Sequence, residues 1–519
     1  ANYIDTLVLP LGSVGAKHAH FNPRETAILQ SPIHGYRGPY SAPAPLSSTD
    51  PRLPPNSSPL ICGVSKHGEI TDNFPNHFVE RAGTRLFNHL IVKCKPLRTV
   101  RPLVLTDSQA VVGDSQLPFC DPLRWNSSEG YPNTKLKQIR KIYDPTKKWL
   151  FKLNGGPDGY IFSGYAEPLK YFLYTKRLGR NNGVCQPTIF TDCLKDIKMP
   201  REKACIPGKT RIFSISPVDF TIQCRQYFLD FAVAYQEARF LCDHAVGIDV
   251  KSFEWTSLAF CLTTVSDKIV VGDYSKFGPT LMSSCVWEVF GNMIEWYKVY
   301  GPDDKVAERV RWCMAHETTF SFHLVMNLVY QVFCGSPSGH PLTTLINSQV
   351  NCLYILYCWL KLGFSIVKYS TDVKLVTYGD DLIMSVSDDY IEHFNCDTIA
   401  YVLRDFGIKL TDASKTEAIV PYRYLIDPDV TFLKCRFVPH PRRALHYLAQ
   451  LDARAVEETC NWIFKAPNPV LQAKVACQAM MESAYGHGPH YYKRLTDKIR
   501  KFWLKYRSDV VIPSWEEVD

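Results

Sequence analysis

The chain has 519 residues, of which 46% are hydrophobic, and its formal net charge is +8. This composition excludes an intrinsically disordered chain and is sufficient for large cores in more than one lobe. The modest positive charge permits a polyanionic partner without requiring one. The 18 cysteines form no C-x-x-C pair, which argues against a zinc site and favours reduced, buried thiols in a cytosolic protein.

The N-terminal part contains a segment rich in proline and serine, residues 36–60. It is either a disordered linker or an extended segment lying on a larger body. From about residue 65 to 240, helical patches alternate with loops. No apolar run reaches transmembrane length, and the most apolar stretch, 345–364, is interrupted by polar residues, so a buried helix is expected there.

The centre of the chain predicts strands and helices in alternation. A buried strand is expected over 268–272, ending at Asp273, and strands are also expected within 319–333. Two further strands should flank Gly379 and Asp380 within 373–386. Helices are predicted over 282–300, 342–361, 394–407, 452–465, 469–485 and 488–507. If the two strands that end in aspartate pair as neighbours, three carboxylates meet at one end of a small sheet.

The sequence T-Y-G-D-D-L at 377–382 places two adjacent carboxylates within an apolar segment. One interpretation is an ordinary hairpin, because Gly-Asp is favourable turn chemistry. The other is a metal site, since converging carboxylates suit hard divalent cations such as Mg²⁺. In that case Asp380 is the expected principal ligand with Asp273, and Asp381 is secondary, because consecutive strand side chains point to opposite faces.

Two other segments carry polar chemistry. In P-S-G-H-P-L-T-T-L-I-N-S (337–348), Thr343 and Asn347 share a helix face and could bind one sugar hydroxyl; the alternative is an ordinary helix start with polar residues. Residues 195–211 contain six cations among prolines and a glycine. They are either a solvated charged face or a loop that grips phosphates.

These features, in this order, resemble the viral RNA-dependent RNA polymerases of the picornavirus-like group. Further segments match over nearly the whole chain: N-S-S-E-G-Y-P (126–132), F-G-I-K-L-T-D-A-S-K (406–415) and T-F-L-K-C-R-F (431–437). The F-G-P sequence that follows the first aspartate is most similar to iflavirus polymerases.

The resemblance implies roles for individual residues. The implied catalytic residues are Asp273, Asp380, Asp381 and Lys415. In this interpretation the three aspartates hold two Mg²⁺ ions (Mn²⁺ as substitute), and Lys415 is the general acid. Nucleotide binding is implied for Lys203, Lys209, Arg211, Gly278, Ser338, Thr343 and Asn347. RNA binding is implied for Ser127, Ser128, Gly130, Tyr131, Pro132, Gly339 and Lys434.

The sequence departs from the family pattern at Gly278. Members usually carry a second aspartate there, five residues after the first, and it helps to hold the ribose 2′-OH. We expect Asn347, Ser338 and backbone groups near Gly278 to take over this recognition. The departure also gives some basis for an alternative function, a catalytically impaired polymerase-like scaffold that binds RNA.

The implied fold is α+β, a closed right hand of fingers, palm and thumb. The expected division is 1–225 fingers with extended fingertips, 226–277 palm, 278–335 fingers insertion, 336–437 palm and 438–519 thumb. Implied partners are template and product RNA, nucleoside triphosphates, a genome-linked protein primer and other viral replication proteins. The implied location is the host cytoplasm, at membrane-associated replication complexes reached through partners.

Overall fold

The helices and strands are described from a computed structural model covering residues 8–69, 71–98, 100–101, 104–156, 159–412, 419–506 and 508–519. The α-helices in this part of the chain are α1 (Pro59–Val64), α2 (Asn76–Lys93), α3 (Asp107–Val112), α4 (Asn133–Ile139), α5 (Leu169–Asn181), α6 (Arg201–Ala204), α7 (Val218–Glu237), α8 (Glu254–Thr263), α9 (Ser283–Tyr300), α10 (Lys305–Thr319), α11 (Thr343–Lys361), α12 (Ile366–Asp372), α13 (Cys396–Arg404), α14 (Ala453–Glu458), α15 (Pro469–Ala484), α16 (Pro489–Leu504) and α17 (Trp515–Val518).

The strands complete an α+β architecture. They are β1 (Leu9–Ser13), β2 (Ile28–Gln30), β3 (Ser41–Pro43), β4 (Phe151–Gly156), β5 (Gly159–Tyr165), β6 (Ile189–Leu194), β7 (Lys198–Pro200), β8 (Ile212–Ile215), β9 (Lys268–Tyr274), β10 (Phe322–Val325), β11 (Leu328–Gln331), β12 (Val373–Tyr378), β13 (Asp381–Val386), β14 (Leu410–Thr411), β15 (Arg423–Tyr424), β16 (Thr431–Phe432), β17 (Cys435–Pro439), β18 (Tyr447–Leu451) and β19 (Trp462–Phe464).

The central sheet has the strand order β12-β13-β9-β14, and β15 also pairs with β9. It is buried on both faces, because successive side chains of a strand point in opposite directions. On β9, Val270 packs into the large core with α11, whereas Ile269 and Val271 pack on the other side with Trp255 of α8. The predicted neighbour pairing of the two strands that end in aspartate is confirmed.

A second sheet has the strand order β1-β11-β10-β6-β8. Strands β1, β6 and β8 come from the N-terminal part of the chain, and β10 and β11 are the two strands expected within 319–333. A three-stranded sheet, β16-β17-β18, packs against the α8 side of the central sheet. Three two-stranded pairs complete the topology: β2 with β19, β3 with β7, and β4 with β5.

The proline- and serine-rich segment begins against the C-terminal helices. Tyr36 donates its hydroxyl to the Glu457 carbonyl, and Ser41 donates its hydroxyl to the Glu458 carboxylate. Strand β3 then pairs with β7. Of the two alternatives for this segment, the extended one is therefore correct for this part.

The predicted helix over 452–465 is wrong in its second half. Helix α14 ends at Glu458, and Trp462–Phe464 forms β19, in which Ile463 pairs with Leu29 of β2. All 18 cysteines are free thiols, as expected. Among the described helices none is by itself long and apolar enough to cross a membrane. Helices α11 and α12 together have sufficient length and apolar composition, but they are bent by 118° where they meet.

Candidate active site

The acidic end of the central sheet is built by two adjacent antiparallel strands. Leu382 of β13 pairs with Gly272 of β9, so the next position in this register sets Asp381 across from Asp273. Tyr378 pairs with Asp381, which leaves Gly379 and Asp380 as a two-residue turn. The φ of Gly379 is +64°, which glycine adopts readily at the first central position of a type II′ turn. The β12–β13 hairpin and the acidic cluster are therefore the same structural feature.

The three carboxylates are close enough to interact electrostatically. Burial first, and then the negative charges of Asp380 and Asp273, raise the pKa of the Asp381 carboxyl from 3.8 to about 6. A backbone hydrogen bond from Leu433 and the charge of Lys434 oppose this rise. Asp380 is exposed, whereas Asp273 and Asp381 are half-buried. Like charges held together in this way are stabilised by a bound cation.

Helix α11 braces the turn that carries Asp380. The Gly379 N–H donates to the Ser348 hydroxyl at 2.8 Å, and the Asn351 amide donates to the carbonyls of Gly379 and Asp380 at 3.1 and 3.2 Å. Tyr274, next to Asp273, donates its hydroxyl to the Asn351 side-chain oxygen at 3.0 Å. Sequence reasoning missed this brace, although Ser348 ends the motif P-S-G-x-x-x-T-x-x-x-N-S.

The chemistry of the donor set fits hard divalent cations, since carboxylate oxygens are the ligands that Mg²⁺ prefers. A second group with metal-ligand chemistry is formed by His67, Asp192 and His323, whose ligand atoms all lie within 4.8 Å of one another. These atoms hydrogen-bond one another and neighbouring hydroxyls, for example His323 Nδ1 to Asp192 at 2.9 Å. This second group is therefore satisfied as a hydrogen-bonded network without an ion.

The Pro337–Ser338–Gly339 loop lies against strand β8. The Ser214 N–H donates to the Ser338 hydroxyl oxygen at 3.0 Å. A Cβ at Gly339 would lie 2.1 Å from the Ser214 carbonyl oxygen, so only glycine permits this approach. The loop is thereby fixed against β8, the strand that Arg211, an exposed residue, immediately precedes.

Thr343 and Asn347 differ in how their polar groups are satisfied. The Thr343 hydroxyl is within hydrogen-bonding distance of the Pro337 and His340 carbonyls, at 2.9 and 2.8 Å, as in an ordinary helix start. The Asn347 Oδ1 atom is shielded from solvent and has no hydrogen-bond partner in the described part of the chain. Asn347 therefore offers an acceptor to a ligand, whereas Thr343 already has local partners.

Steric crowding does not require a glycine at position 278. A Cβ at this position would meet no atom within 4 Å, and its φ is not in the left-handed region. Its carbonyl accepts a hydrogen bond from the Ser336 N–H at 3.0 Å. A larger side chain at this position would therefore point into open space.

A cationic cluster forms around the loop that carries Lys209. The Lys66 ammonium donates to the Gly208 carbonyl, and burial, followed by the charges of Lys209 and Lys276, lowers the pKa of Lys66. Lys276 in turn pairs with Glu69. Lys203 lies exposed on the short helix α6. Lys66 and Lys276 were missed because each is an isolated lysine in the sequence.

The segment 126–132 forms a tight loop at the start of α4. The Gly130 N–H donates to the Ser128 hydroxyl at 3.2 Å, and the Ser127 hydroxyl donates to the Arg124 carbonyl at 2.8 Å. A Cβ at Gly130 would lie 2.5 Å from the Ser216 carbonyl oxygen, which joins this loop to the end of β8. The Tyr131–Pro132 peptide bond is cis, and both residues are half-buried.

One more predicted residue, Lys434, lies at the edge of the site. Lys434 is exposed in the turn between β16 and β17, where its charge acts on Asp381. Lys415, the expected general acid, lies outside the described residues. The structure thus brings Asp273, Asp380, Asp381 and Lys434 together.

Comparison with known proteins identifies the family of this chain. Residues 94–504 match the family described as viral RNA-dependent RNA polymerase. The genome polyprotein of deformed wing virus is 40% identical over 99% of the chain, and that of rice tungro spherical virus (strain Vt6) is 29% identical over 94%. The chain spans 18% and 14% of these two polyproteins. The chain belongs to the viral RNA-dependent RNA polymerase family, and the expected resemblance to iflavirus polymerases is confirmed.

A solved structure supports the fold. The chain is similar to a Sicinivirus RNA-dependent RNA polymerase with a TM-score of 0.79, 21% sequence identity, and coverage of 98% of both chains. The predicted right-hand polymerase fold is thus confirmed. The boundaries proposed between fingers, palm and thumb stay a prediction. Membership of this family implies that the protein uses divalent metal ions.

Proposed function

We propose that this protein is an RNA-directed RNA polymerase that replicates a viral genome. A primer 3′-OH attacks the α-phosphate of an incoming nucleoside triphosphate, and pyrophosphate leaves. The observation that carries the proposal is the meeting of Asp273, Asp380 and Asp381 on adjacent strands, where burial and then the charges of the other two aspartates raise the pKa of Asp381.

The three aspartates are the residues that would hold the metal ions. Asp380, exposed at the turn, and Asp273 are the principal ligands, and Asp381 assists. Two Mg²⁺ ions, or Mn²⁺ in their place, would lower the pKa of the attacking hydroxyl and stabilise the triphosphate. Ser348 and Asn351 hold the turn so that Asp380 needs no reorganisation when the ions bind.

The cationic residues neutralise the triphosphate. Lys209 and Arg211 contact its phosphates, with Lys203 at the entrance, and Lys66 and Lys276 add to the positive field around Lys209. Lys415 donates a proton to the pyrophosphate that leaves.

Ribose recognition falls to Asn347, Ser338 and backbone groups near Gly278. The unpartnered Asn347 oxygen can accept from a 2′-OH, and Thr343 supports the start of the same helix. Asn347→Ala should reduce the preference for ribonucleotides over deoxyribonucleotides by about tenfold, the effect of one unpaired hydrogen bond. Asn88→Ala, on an exposed face of α2, is the matched control. Unchanged discrimination in Asn347→Ala contradicts this role.

Template RNA is read by base pairing, so the protein contacts its backbone and shape. The contacts on the template side are assigned to Gly339, to Lys434 beside the aspartates, and to Ser127, Ser128, Gly130, Tyr131 and Pro132. A genome-linked protein primer and other viral replication proteins are the proposed partners. The proposed location is the host cytoplasm, at membrane-associated replication complexes.

Primer extension on an RNA template tests the function. Wild-type protein with Mg²⁺ should incorporate ribonucleotides, Asp380→Ala should lose at least about 10³-fold of that activity, and chelation should abolish it. Asp389→Ala, an exposed aspartate beyond the other end of β13, should behave as wild type. RNA binding without any incorporation by the wild type would instead indicate the scaffold alternative, and preferential incorporation of deoxynucleotides would indicate a reverse transcriptase.

A further inference from the structure

A buried polar network lies in the N-terminal five-stranded sheet, outside the acidic cluster. Its centre is Asp192 of β6, 1% exposed, with His323 of β10, 2% exposed. The Asp192 carboxylate accepts from His323 Nδ1 at 2.9 Å, from the Ser214 hydroxyl at 2.7 Å and from the Tyr330 hydroxyl. A buried carboxylate is tolerated only when it is paired in this way, so the network must be kept intact.

The donor and acceptor roles in this network follow from chemistry. A carboxylate only accepts, so His323 carries a proton on Nδ1, and its Nε2 lies 2.9 Å from the Ser321 hydroxyl. Because Tyr330 donates to Asp192, its oxygen accepts from His67 Nδ1 at 2.9 Å. Burial lowers the pKa of His67 to about 4, so this imidazole is neutral. Burial alone would raise the pKa of Asp192, but His323 holds it below its ordinary value.

Ser214 connects this network to the nucleotide site. Asp192 of β6 and Ser214 of β8 are directly opposite each other. The hydrogen bond from the Ser214 hydroxyl to the Asp192 carboxylate therefore holds β8 in place against β6. The same residue donates its N–H to Ser338 at 3.0 Å and makes the close backbone contact with Gly339. Strand β8 begins immediately after Arg211.

A second connection runs through the short 3-10 turn Ser65–Gly68. His67 of this turn joins the network through Tyr330, whereas its neighbour Lys66 donates to the Gly208 carbonyl beside Lys209. The network is therefore attached to two parts of the proposed triphosphate site: the Ser338–Gly339 loop, through Ser214, and the loop that carries Lys209, through the turn that holds Lys66 and His67.

We propose that Asp192 and His323 are positioning residues that fix, through Ser214 and His67, the spacing between the cationic nucleotide-binding residues and the Ser338–Gly339 loop. This inference rests on the proposed polymerase function. The hydrogen bonds of the network in the described part of the chain run to Ser214, Ser321, Tyr330 and His67, and Asp273, Asp380 and Asp381 are not among these partners. Its loss should therefore weaken nucleotide binding and leave the chemical step nearly unchanged.

Ser214→Ala tests the connection most directly. It removes the hydroxyl that donates to Asp192 and keeps the backbone N–H that donates to Ser338. Ser214→Thr retains a hydroxyl and serves as the conservative rescue. Thr191→Val is the matched control, because Thr191 is also buried on β6, at 3% exposed, and its hydroxyl has no hydrogen-bond partner in the described part of the chain.

Single-nucleotide incorporation on a primed RNA template separates KM from kcat. We expect Ser214→Ala to raise the KM for the nucleoside triphosphate about fivefold, with kcat within about twofold, as for one lost hydrogen bond. Ser214→Thr and Thr191→Val should remain near wild type. Asp192→Asn, which removes the charge, should raise KM further. If Asp192→Asn fails to fold, the comparison of Ser214→Ala with Ser214→Thr tests the inference.

The outcomes are distinguishable from failure of the proposed function. If wild-type protein incorporates nucleotides but Ser214→Ala matches Thr191→Val in KM, the network only stabilises the fold and the positioning inference is wrong. A fall in kcat at unchanged KM overturns it too. If wild-type protein incorporates nothing, the proposed function itself fails.

Discussion

The hydroxyl oxygen of Ser348 accepts the backbone N–H of Gly379 at 2.8 Å and so ties helix α11 to the turn that presents Asp380. The turn proposed to bind the metal ions is thereby held by the helix that also carries Asn347. The residues proposed for nucleotide selection and for metal binding therefore both depend on α11, most of whose residues are buried.

Replacing Ser348 with alanine should impair catalysis more than stability. The variant loses the bond to Gly379 and one to the Thr344 carbonyl, so the free energy of unfolding should fall by about 1 kcal/mol. Because the turn shifts, kcat should fall about tenfold, measured by single-turnover primer extension. Ser257→Ala removes a comparable bond to the carbonyl four residues earlier on α8, at 3.3 Å, and is the control. Equal kcat in the two variants would contradict the brace.

Asp381 should make the metal-free protein less stable as pH rises. Its folded pKa of about 6 lies above the ordinary 3.8, so its stabilising contribution is present below about pH 4 and is lost as pH rises through about 6. At about pH 8, Asp381→Asn should therefore raise the free energy of unfolding of metal-free protein by about 1 kcal/mol after solvent screening. Thermal melts in chelator measure this, with Asp389→Asn as control.

Mg²⁺ should reverse that effect. The ion binds the deprotonated carboxylates, so its increase in Tm should be larger at about pH 8 than at about pH 5. A wild-type Tm increase that does not depend on pH, or no gain from Asp381→Asn in chelator, argues against the carboxylate cluster.

Gly278→Asp should fold normally and strengthen selection of ribonucleotides. The new side chain enters open space, since a Cβ at Gly278 meets nothing within 4 Å. A carboxylate there supplies the acceptor that the family pattern contains, so discrimination against deoxyribonucleotides should rise about fivefold. Competition between ribo- and deoxyribonucleotides at one template position measures it. Gly278→Ala should leave discrimination unchanged, and a matching result for the aspartate variant would refute the prediction.

Glu458 should hold the N-terminal segment against the C-terminal helices. It is 5% exposed and accepts from the Ser41 N–H at 3.2 Å and from Trp462 Nε1 at 2.9 Å. Glu458→Ala leaves the buried Ser41 N–H and the half-buried Trp462 indole unpaired and should cost about 3 kcal/mol of unfolding free energy. Limited proteolysis between residues 44 and 60 should accelerate in parallel. Glu516→Ala, which breaks an exposed ion pair with Arg442 at 2.7 Å, should barely change either measurement.

Much of the candidate site could be predicted because its motifs are local. The apolar run before Asp273 and the Gly-Asp turn before Asp381 specify strands and their ends, and two such strands have few ways to pair. The helix that carries Thr343 and Asn347 also followed from local pattern. The nucleotide-binding roles of Lys203 and Arg211, and the roles of the residues expected to contact RNA, remain predictions.

The sequence by itself determined the central strands, the acidic turn and the position where a glycine replaces an expected carboxylate, because backbone preference and side-chain alternation act over a few residues. Only the tertiary structure decided the contacts between distant segments. Residues 462–464 became a strand, despite an amphipathic pattern, because β2 offers them backbone partners. Ser214 gained its role because Asp192 and Ser338 lie on either side of it. A hydrogen bond between distant residues depends on the packing of the elements that carry them, and that packing has no local sequence signal.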